Sequence, residues 1–335
     1  MSLGEIFCAP EMTAARREVE GQLENVETAG CFTEKTAEMY QYVIGTGMRF
    51  RPLLAYLGNF LVKGRGNSLT PLGAALELLH KASLVHDDLI DGDALRRGRC
   101  TFHRRYGNRE AVLMGDLLVG AAFRQTALLR QFHGQEACLQ VQEALAELAF
   151  TLSRGVLREI EQEGVFQDQN TIYQVMYEKT AIFLEKSLVL GGLLGGADAE
   201  KEAALKELGK NLGLVFQVVN DFNNVRSGEQ QNRGRSGGDL VQQKATLLSY
   251  SLDRPEGLGG KDLLSDDEGL LRLARVYYLP LLEQCAASLE RLPDSPWRQK
   301  LQDLESCVLE LWSWDKGFTG DKEPAYALTR ICPGG

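Results

Sequence analysis

An all-α fold, built as a single large helical bundle, is what this sequence predicts. Three observations carry that reading. Apolar residues recur at three- and four-residue spacings through six long segments, the mark of helices with one buried face. No alternating polar–apolar run is bounded by turn signals, so no strand is predicted, and no internal repeat is evident. The breaks between segments are local loops rather than interdomain linkers, so the 335 residues are expected to form one unit.

In chain order, residues 1–34 are expected to pack on the bundle as an N-terminal segment, 35–315 to form the helical domain, and 316–335 to be a tail that matches no known pattern. The first strong helix is TPLGAALELLHKASLVHDDLIDG, opened by Thr70 and Pro71, a start signature, and closed by Gly92. Residues 111–132, 135–163, 172–196, 201–222 and 278–292 show the same periodicity and predict five more helices. Loops are predicted at DALRRGRCTFHRRYGN (93–108), RSGEQQNRGRSGGD (226–239) and RPEGLGGKDLLSDDEG (254–269).

Composition bounds the function. Hydrophobic content of 44% and charged content of 25% are those of a soluble globular chain with ample material for a core. The net charge of −9 argues against a nucleic-acid binder. No apolar run approaches the roughly 18–20 residues that span a bilayer, so no transmembrane segment is expected. The start, MSLGEIFCAPEM, lacks a basic region followed by an apolar core, so no secretory signal is expected. Seven cysteines without a C-x-x-C pair predict free thiols in a reducing cytoplasm rather than a disulfide framework or a zinc site.

Chemistry is concentrated in HDDLID. Asp87, Asp88 and Asp91 lie at i, i+1 and i+4, so Asp87 and Asp91 project from one helix face a turn apart, near enough to share divalent cations. Oxygen ligands with no neighbouring cysteine suit Mg2+, which takes one or two carboxylates and completes its shell with water and substrate phosphates. The plain alternative is a solvated helix end. Against it, the acids follow an apolar helix, and Arg96 and Arg97 stand in the next loop, a composition suited to a metal-bridged diphosphate.

The run from Gly45 through His103 resembles the trans-isoprenyl diphosphate synthases, or polyprenyl synthetases. GMRFRP resembles that family's GGKRxRP, LLHKASLVHDDLID its histidine and first aspartate-rich motif, and LRRGRCTFH its RRGxPxxH. MGDLL, EKTAIF, LVFQVVND and GGDLVQQKAT resemble the family's later blocks in order and spacing, and ASLERLPDSPWRQKL its C-terminal helix pair. The resemblance covers residues 35–315.

The resemblance implies a helical bundle of the isoprenoid (terpenoid) synthase type with a central apolar tunnel, in a cytoplasmic homodimer. It implies that an allylic prenyl diphosphate ionises with the help of Mg2+, up to three substrate-bridged ions, and is attacked by isopentenyl diphosphate. Asp87, Asp88 and Asp91 would belong to the metal site, with Asn220, Asp221 and Asn224 opposite. Arg96, Lys179 and Lys244 would hold the allylic diphosphate; Arg51, His80 and Arg97 would hold the isopentenyl diphosphate. Thr180 and Gln217 would turn their dipoles toward the cation. Taken singly, Lys179 and Lys244 also read as surface charges, His80 as a satisfied core histidine and Gln217 as ordinary packing; His103 reads as structural either way. Ala82 and Ser83, five and four residues before Asp87, are small where short-chain members of the family carry a bulky aromatic. Leu79, Leu78 and Ala75 lie deeper and Phe123 is a candidate floor, so products longer than farnesyl are expected; small residues also simply permit close helix packing.

Two departures stand out. Met48 replaces the lysine of GGKRxRP and removes a cation from the isopentenyl diphosphate site. In VVNDFNN, the second aspartate-rich motif, the first and fifth positions are Asn220 and Asn224, leaving Asp221 alone. Asparagine keeps a carbonyl ligand but loses the charge, so metal binding there should lean more on substrate. Two alternatives to an elongase therefore stay open: an enzyme that ionises an allylic diphosphate without isopentenyl diphosphate, as class I terpene cyclases do from a similar Asn–Asp start, and a regulatory subunit of an active synthase. At the later cyclase positions this chain has Gly228, with Glu229 one residue late. The intact first motif counts against a mere subunit.

Overall fold

A computed structural model describes residues 3–314, except 30, 31, 65, 67, 97, 166, 224–245 and 253–266. Helices α1 (Leu3–Phe7), α2 (Pro10–Ala29), α3 (Glu34–Ile44) and α4 (Phe50–Leu61) precede the central α5 (Thr70–Asp91). Pro71 sits in the first turn of α5, where its missing N–H costs nothing, and Gly92, in the left-handed conformation at φ 63°, ends it. The periodic apolar positions of α5 face inward: Leu72, Leu76, Leu78 and Leu79 are all buried.

A two-stranded antiparallel ribbon, β1 (Leu95–Arg96) and β2 (Arg99–Cys100), leads into α6 (Phe102–Tyr106) and α7 (Asn108–Leu128). The sequence predicted only loop over 93–108. Gly98, at φ 74°, allows a tight turn that pairs two residues on each side, too short a run to leave a strand pattern. The chain continues through α8 (Gln135–Glu161), α9 (Gln169–Met176), α10 (Ile182–Leu194) and α11 (Ala199–Asn223). Among the described residues, α12 (Leu247–Leu252), α13 (Asp267–Glu290), α14 (Pro296–Lys300) and α15 (Leu304–Trp314) complete the bundle.

The core is continuous from the N-terminal helices into the bundle. On α2, Met12, Ala15, Val19 and Leu23 are buried against α5 and α4, and α10 packs on both α4 and α11. Segment 172–196, expected as one helix, is α9 and α10 joined by a π-turn, Tyr177–Ala181. Two other expectations need correction. Cys8 is disulfide-bonded, whereas Cys100, Cys138, Cys285 and Cys307 form no disulfide. The span Asn108–Gln131 is long and apolar enough to cross a membrane by length and composition, because its few charges are spread along 24 residues. It packs against α5, with 44% of its most apolar window buried inside the protein.

Candidate active site

On α5, His80, Ser83, Asp87 and Asp91 are half-buried and recur at three- and four-residue steps, which places them along one stripe of the helix. Asp88 falls off that stripe and is buried. Arg96, on β1, donates to its Oδ1 through Nε and Nη2, each at 2.6 Å, and reaches Asp87 Oδ2 only at 3.8 Å. Burial pushes the Asp88 carboxyl up to about 6; Arg96 opposes the shift, while Asp87 and Asp93 add to it. Arg96, expected on the allylic diphosphate, is here the partner of Asp88. The ribbon is what brings it there.

His86 points away from this stripe, toward α7. Its Nε2 lies 3.9 Å from Asp116 Oδ1. A Cβ at Gly115 would sit 2.0 Å from that nitrogen, so the glycine of MGDLL is the space the imidazole occupies. His103 is buried beside Thr101 Oγ1 at 3.3 Å, and burial lowers its pKa.

Arg51 and His80 meet: Arg51 Nη1 is 2.9 Å from His80 Nε2. A guanidinium only donates, so this nitrogen accepts and, in the neutral ring, the proton sits on Nδ1. Phe183 of α10 backs the pair, 4.9 Å from the guanidinium carbon and edge-on to the imidazole. Ser83 donates its hydroxyl to the His80 carbonyl at 2.8 Å, and Ala82 is buried in the core.

The π-turn presents Lys179 and Thr180, and α8 pins it. Glu178 is buried and accepts from Arg154 Nε, Arg158 Nε and Gln174 Nε2 at 3.0, 3.0 and 2.8 Å. Burial alone would raise this carboxyl, but the hydrogen bonds and the two arginines outweigh it and hold it below the ordinary carboxylate range. A Cβ at Gly155 would fall 2.8 Å from Glu178 Cβ, so that glycine admits α8 against the turn. Lys179 pairs with Glu159 of α8 at 2.5 Å. No sequence signal marked Glu178, because its arginine partners lie 24 and 20 residues away on α8.

From the same turn a hydrogen-bonded line runs into α11. Thr180 Oγ1 donates to Gln217 Oε1, and Gln217 Nε2 donates to Asp221 Oδ1, both at 2.7 Å. Asp221 is buried while Asn220 is half-buried. The two acidic motifs thus share a pattern: the second residue turns inward to a fixed partner, the first stays on the more open side. Amidation at 220 therefore falls on the open side. Phe216, beside Gln217, stacks on Phe50 of α4 with centroids 6.0 Å apart, which joins α11 to the first turn of α4 and Arg51. Arg97, Lys244 and Asn224 lie outside the described residues.

Among the described residues no three His, Cys, Asp or Glu side chains converge as a closed metal cage. Among the described residues, Asp87 and Asp91 offer two carboxylates a turn apart on a half-open stripe. That donor set fits Mg2+, which keeps water and takes phosphate oxygens alongside one or two carboxylates.

The family model described as polyprenyl synthetase matches residues 33–255. Octaprenyl diphosphate synthase of Escherichia coli (strain K12) is 30% identical over 291 residues, covering 81% of this chain and 88% of its own. Among solved structures, a geranylgeranyl pyrophosphate synthetase of Pyrococcus horikoshii has a TM-score of 0.74 at 26% identity, over 92% of this chain and 98% of that one. A geranylgeranyl pyrophosphate synthase of Corynebacterium glutamicum, complexed with calcium and isoprenyl diphosphate, has a TM-score of 0.67 at 25% identity, over 90% and 98%.

Proposed function

Because the chain belongs to the polyprenyl synthetase family, we propose that it is a prenyltransferase that condenses an allylic prenyl diphosphate with isopentenyl diphosphate, lengthening the chain and releasing pyrophosphate. The observation that carries this reading is the retained pair Arg51 and His80, set beside the half-open stripe of Asp87 and Asp91. An enzyme that only ionises an allylic diphosphate has no need of a second anion site there.

Asp87 and Asp91 would hold Mg2+, up to three ions bridged by substrate, with Asn220 and Asn224 as neutral ligands opposite. Mg2+, when bound, neutralises the diphosphate and stabilises the departing pyrophosphate. The chain's own groups do the positioning. Arg51 and His80 bind the isopentenyl diphosphate, with Arg97. Lys179 leaves Glu159 for the allylic diphosphate, joined by Arg96 and Lys244. Thr180 and Gln217 turn oxygens toward the carbocation while the apolar walls keep water out. The proton lost from the condensed chain passes to the pyrophosphate.

The small Ser83, on the half-open stripe of α5, supports products longer than farnesyl. Leu139, Phe150, Leu157 and Ile160 on α8, with Val112 and Leu113 on α7, leave an exposed apolar face that a second copy of the chain would cover, supporting a homodimer. In that reading α7 is a core and interface helix rather than a membrane span. The cysteines that form no disulfide support a cytoplasmic location; the Cys8 disulfide weighs against it.

Asn220 favours one second reading, a cyclase-like enzyme that dispenses with isopentenyl diphosphate. One experiment separates the two: purified protein with Mg2+, a series of allylic diphosphates, and isopentenyl diphosphate present or absent. Elongation predicts longer prenyl diphosphates only when it is present. A hydrocarbon or alcohol formed without it would sink that reading.

A further inference from the structure

Beside the pair Arg51–His80 lies a second, buried rung, between α5 and the residue that leads into α4. Two residues before Arg51, Arg49 Nη1 donates to Glu77 Oε1 at 2.9 Å; Glu77 is three residues before His80 and only 2% exposed. Lys81, next to His80, lies 3.8 Å from the same Glu77 oxygen. The two cations also grip the backbone that leads into α4. Arg49 donates to the carbonyls of Thr46 and Ile44 at 3.0 and 2.7 Å, and Lys81 donates to that of Thr46 at 2.5 Å. From α2, Glu20 approaches Arg49 Nε at 3.7 Å.

Arg49 has φ 56°, a left-handed conformation that a side-chain-bearing residue keeps only where its surroundings over-determine it. Gly47, at φ 118°, passes so close that a Cβ there would lie 3.1 Å from Lys81 Nζ. A buried carboxylate between two cations, each also bonded to the same short stretch of backbone, leaves that stretch one geometry. Removing one partner strands the others in the interior.

We propose that Glu77, Arg49 and Lys81 form a positioning clamp that sets residues 44–49, and through them Arg51 and His80, for isopentenyl diphosphate. The inference rests on the function proposed above. It also accounts for how the site works with Met48: with no lysine in the loop, anion binding falls on side chains whose placement this clamp fixes. None of the three touches the substrate.

The test is steady-state kinetics of the full chain and its Glu77→Gln, Lys81→Met and Lys81→Arg variants, each substrate varied in turn. The clamp predicts a KM for isopentenyl diphosphate raised about tenfold or more in Glu77→Gln and Lys81→Met, with the allylic KM within about twofold and kcat changing less than KM. Lys81→Arg should recover most of the loss. Should Glu77→Gln fail to fold, Lys81→Met carries the test. An unchanged isopentenyl KM, or both KM values rising together, overturns the clamp while leaving elongation intact. A wild-type protein that never consumes isopentenyl diphosphate overturns elongation itself, and the clamp with it.

Discussion

Asp87, Asp88 and Asp91 are one motif in sequence and two kinds of residue in space. Asp87 and Asp91 share the open stripe of α5, while Asp88 is buried on Arg96. Asp87→Asn or Asp91→Asn removes charge where Mg2+ would sit and should cost on the order of a thousandfold in kcat, several kcal/mol of transition-state stabilisation. Asp88→Asn keeps a carbonyl toward Arg96 and should cost about 10- to 100-fold, the usual toll for a group that supports a ligand. Equal losses in single-turnover assays would contradict the distinction. On the other motif, Asn220→Asp should lower the Mg2+ needed for half-maximal activity. A carboxylate near a divalent ion gains several kcal/mol of attraction, offset in large part by desolvation, so a shift of about tenfold is expected. An unchanged or higher requirement in a Mg2+ titration would exclude Asn220 from the metal side. The i, i+4 placement of the first acids was legible in the sequence. The inward turn of Asp88 was not, because it depends on a ribbon too short to leave a pattern.

At the scale of elements, α8 decides where Lys179 and Thr180 stand. Its arginines hold Glu178 from 24 and 20 residues away, a pairing no local pattern reveals, and the π-turn between α9 and α10 has no sequence signature of its own. The folded pKa of Glu178 is depressed, so its contribution to stability is present above the ordinary carboxylate value of about 4.5 and is lost as pH falls through the folded value. Glu178→Gln should therefore cost about 1–3 kcal/mol at pH 7, with the difference from wild type shrinking at pH values below the ordinary carboxylate value of about 4.5. Denaturant titrations at those pH values check it; a pH-independent difference would exclude the ion network as the cause. On α5, Ser83 and Ala82 are equally small in sequence but differ in place. Ser83→Phe, on the half-open stripe above Asp87, should shorten the longest product and leave the fold intact. Ala82→Phe enters a filled core and should cost about 1–3 kcal/mol of stability. Product chromatography and thermal melts of both variants separate tunnel from packing.

For the whole molecule, the helical class and the position of α5 were readable because long amphipathic periodicity survives any tertiary context. α7 shows the limit of that signal: the same apolar composition serves a membrane span, a core helix or an interface, and only its packing on α5 narrows the choice. The disulfide at Cys8 was equally hidden, since spacing alone does not bring cysteines together. In the proposed function the two ends of the site, the carboxylate stripe and the Arg51–His80 pair, serve one condensation. Incubation with Mg2+, geranyl diphosphate and labelled isopentenyl diphosphate, with pyrophosphate counted alongside, tests this directly. One pyrophosphate is expected for each labelled unit incorporated into a longer prenyl diphosphate. Pyrophosphate released from geranyl diphosphate with no label incorporated would contradict it.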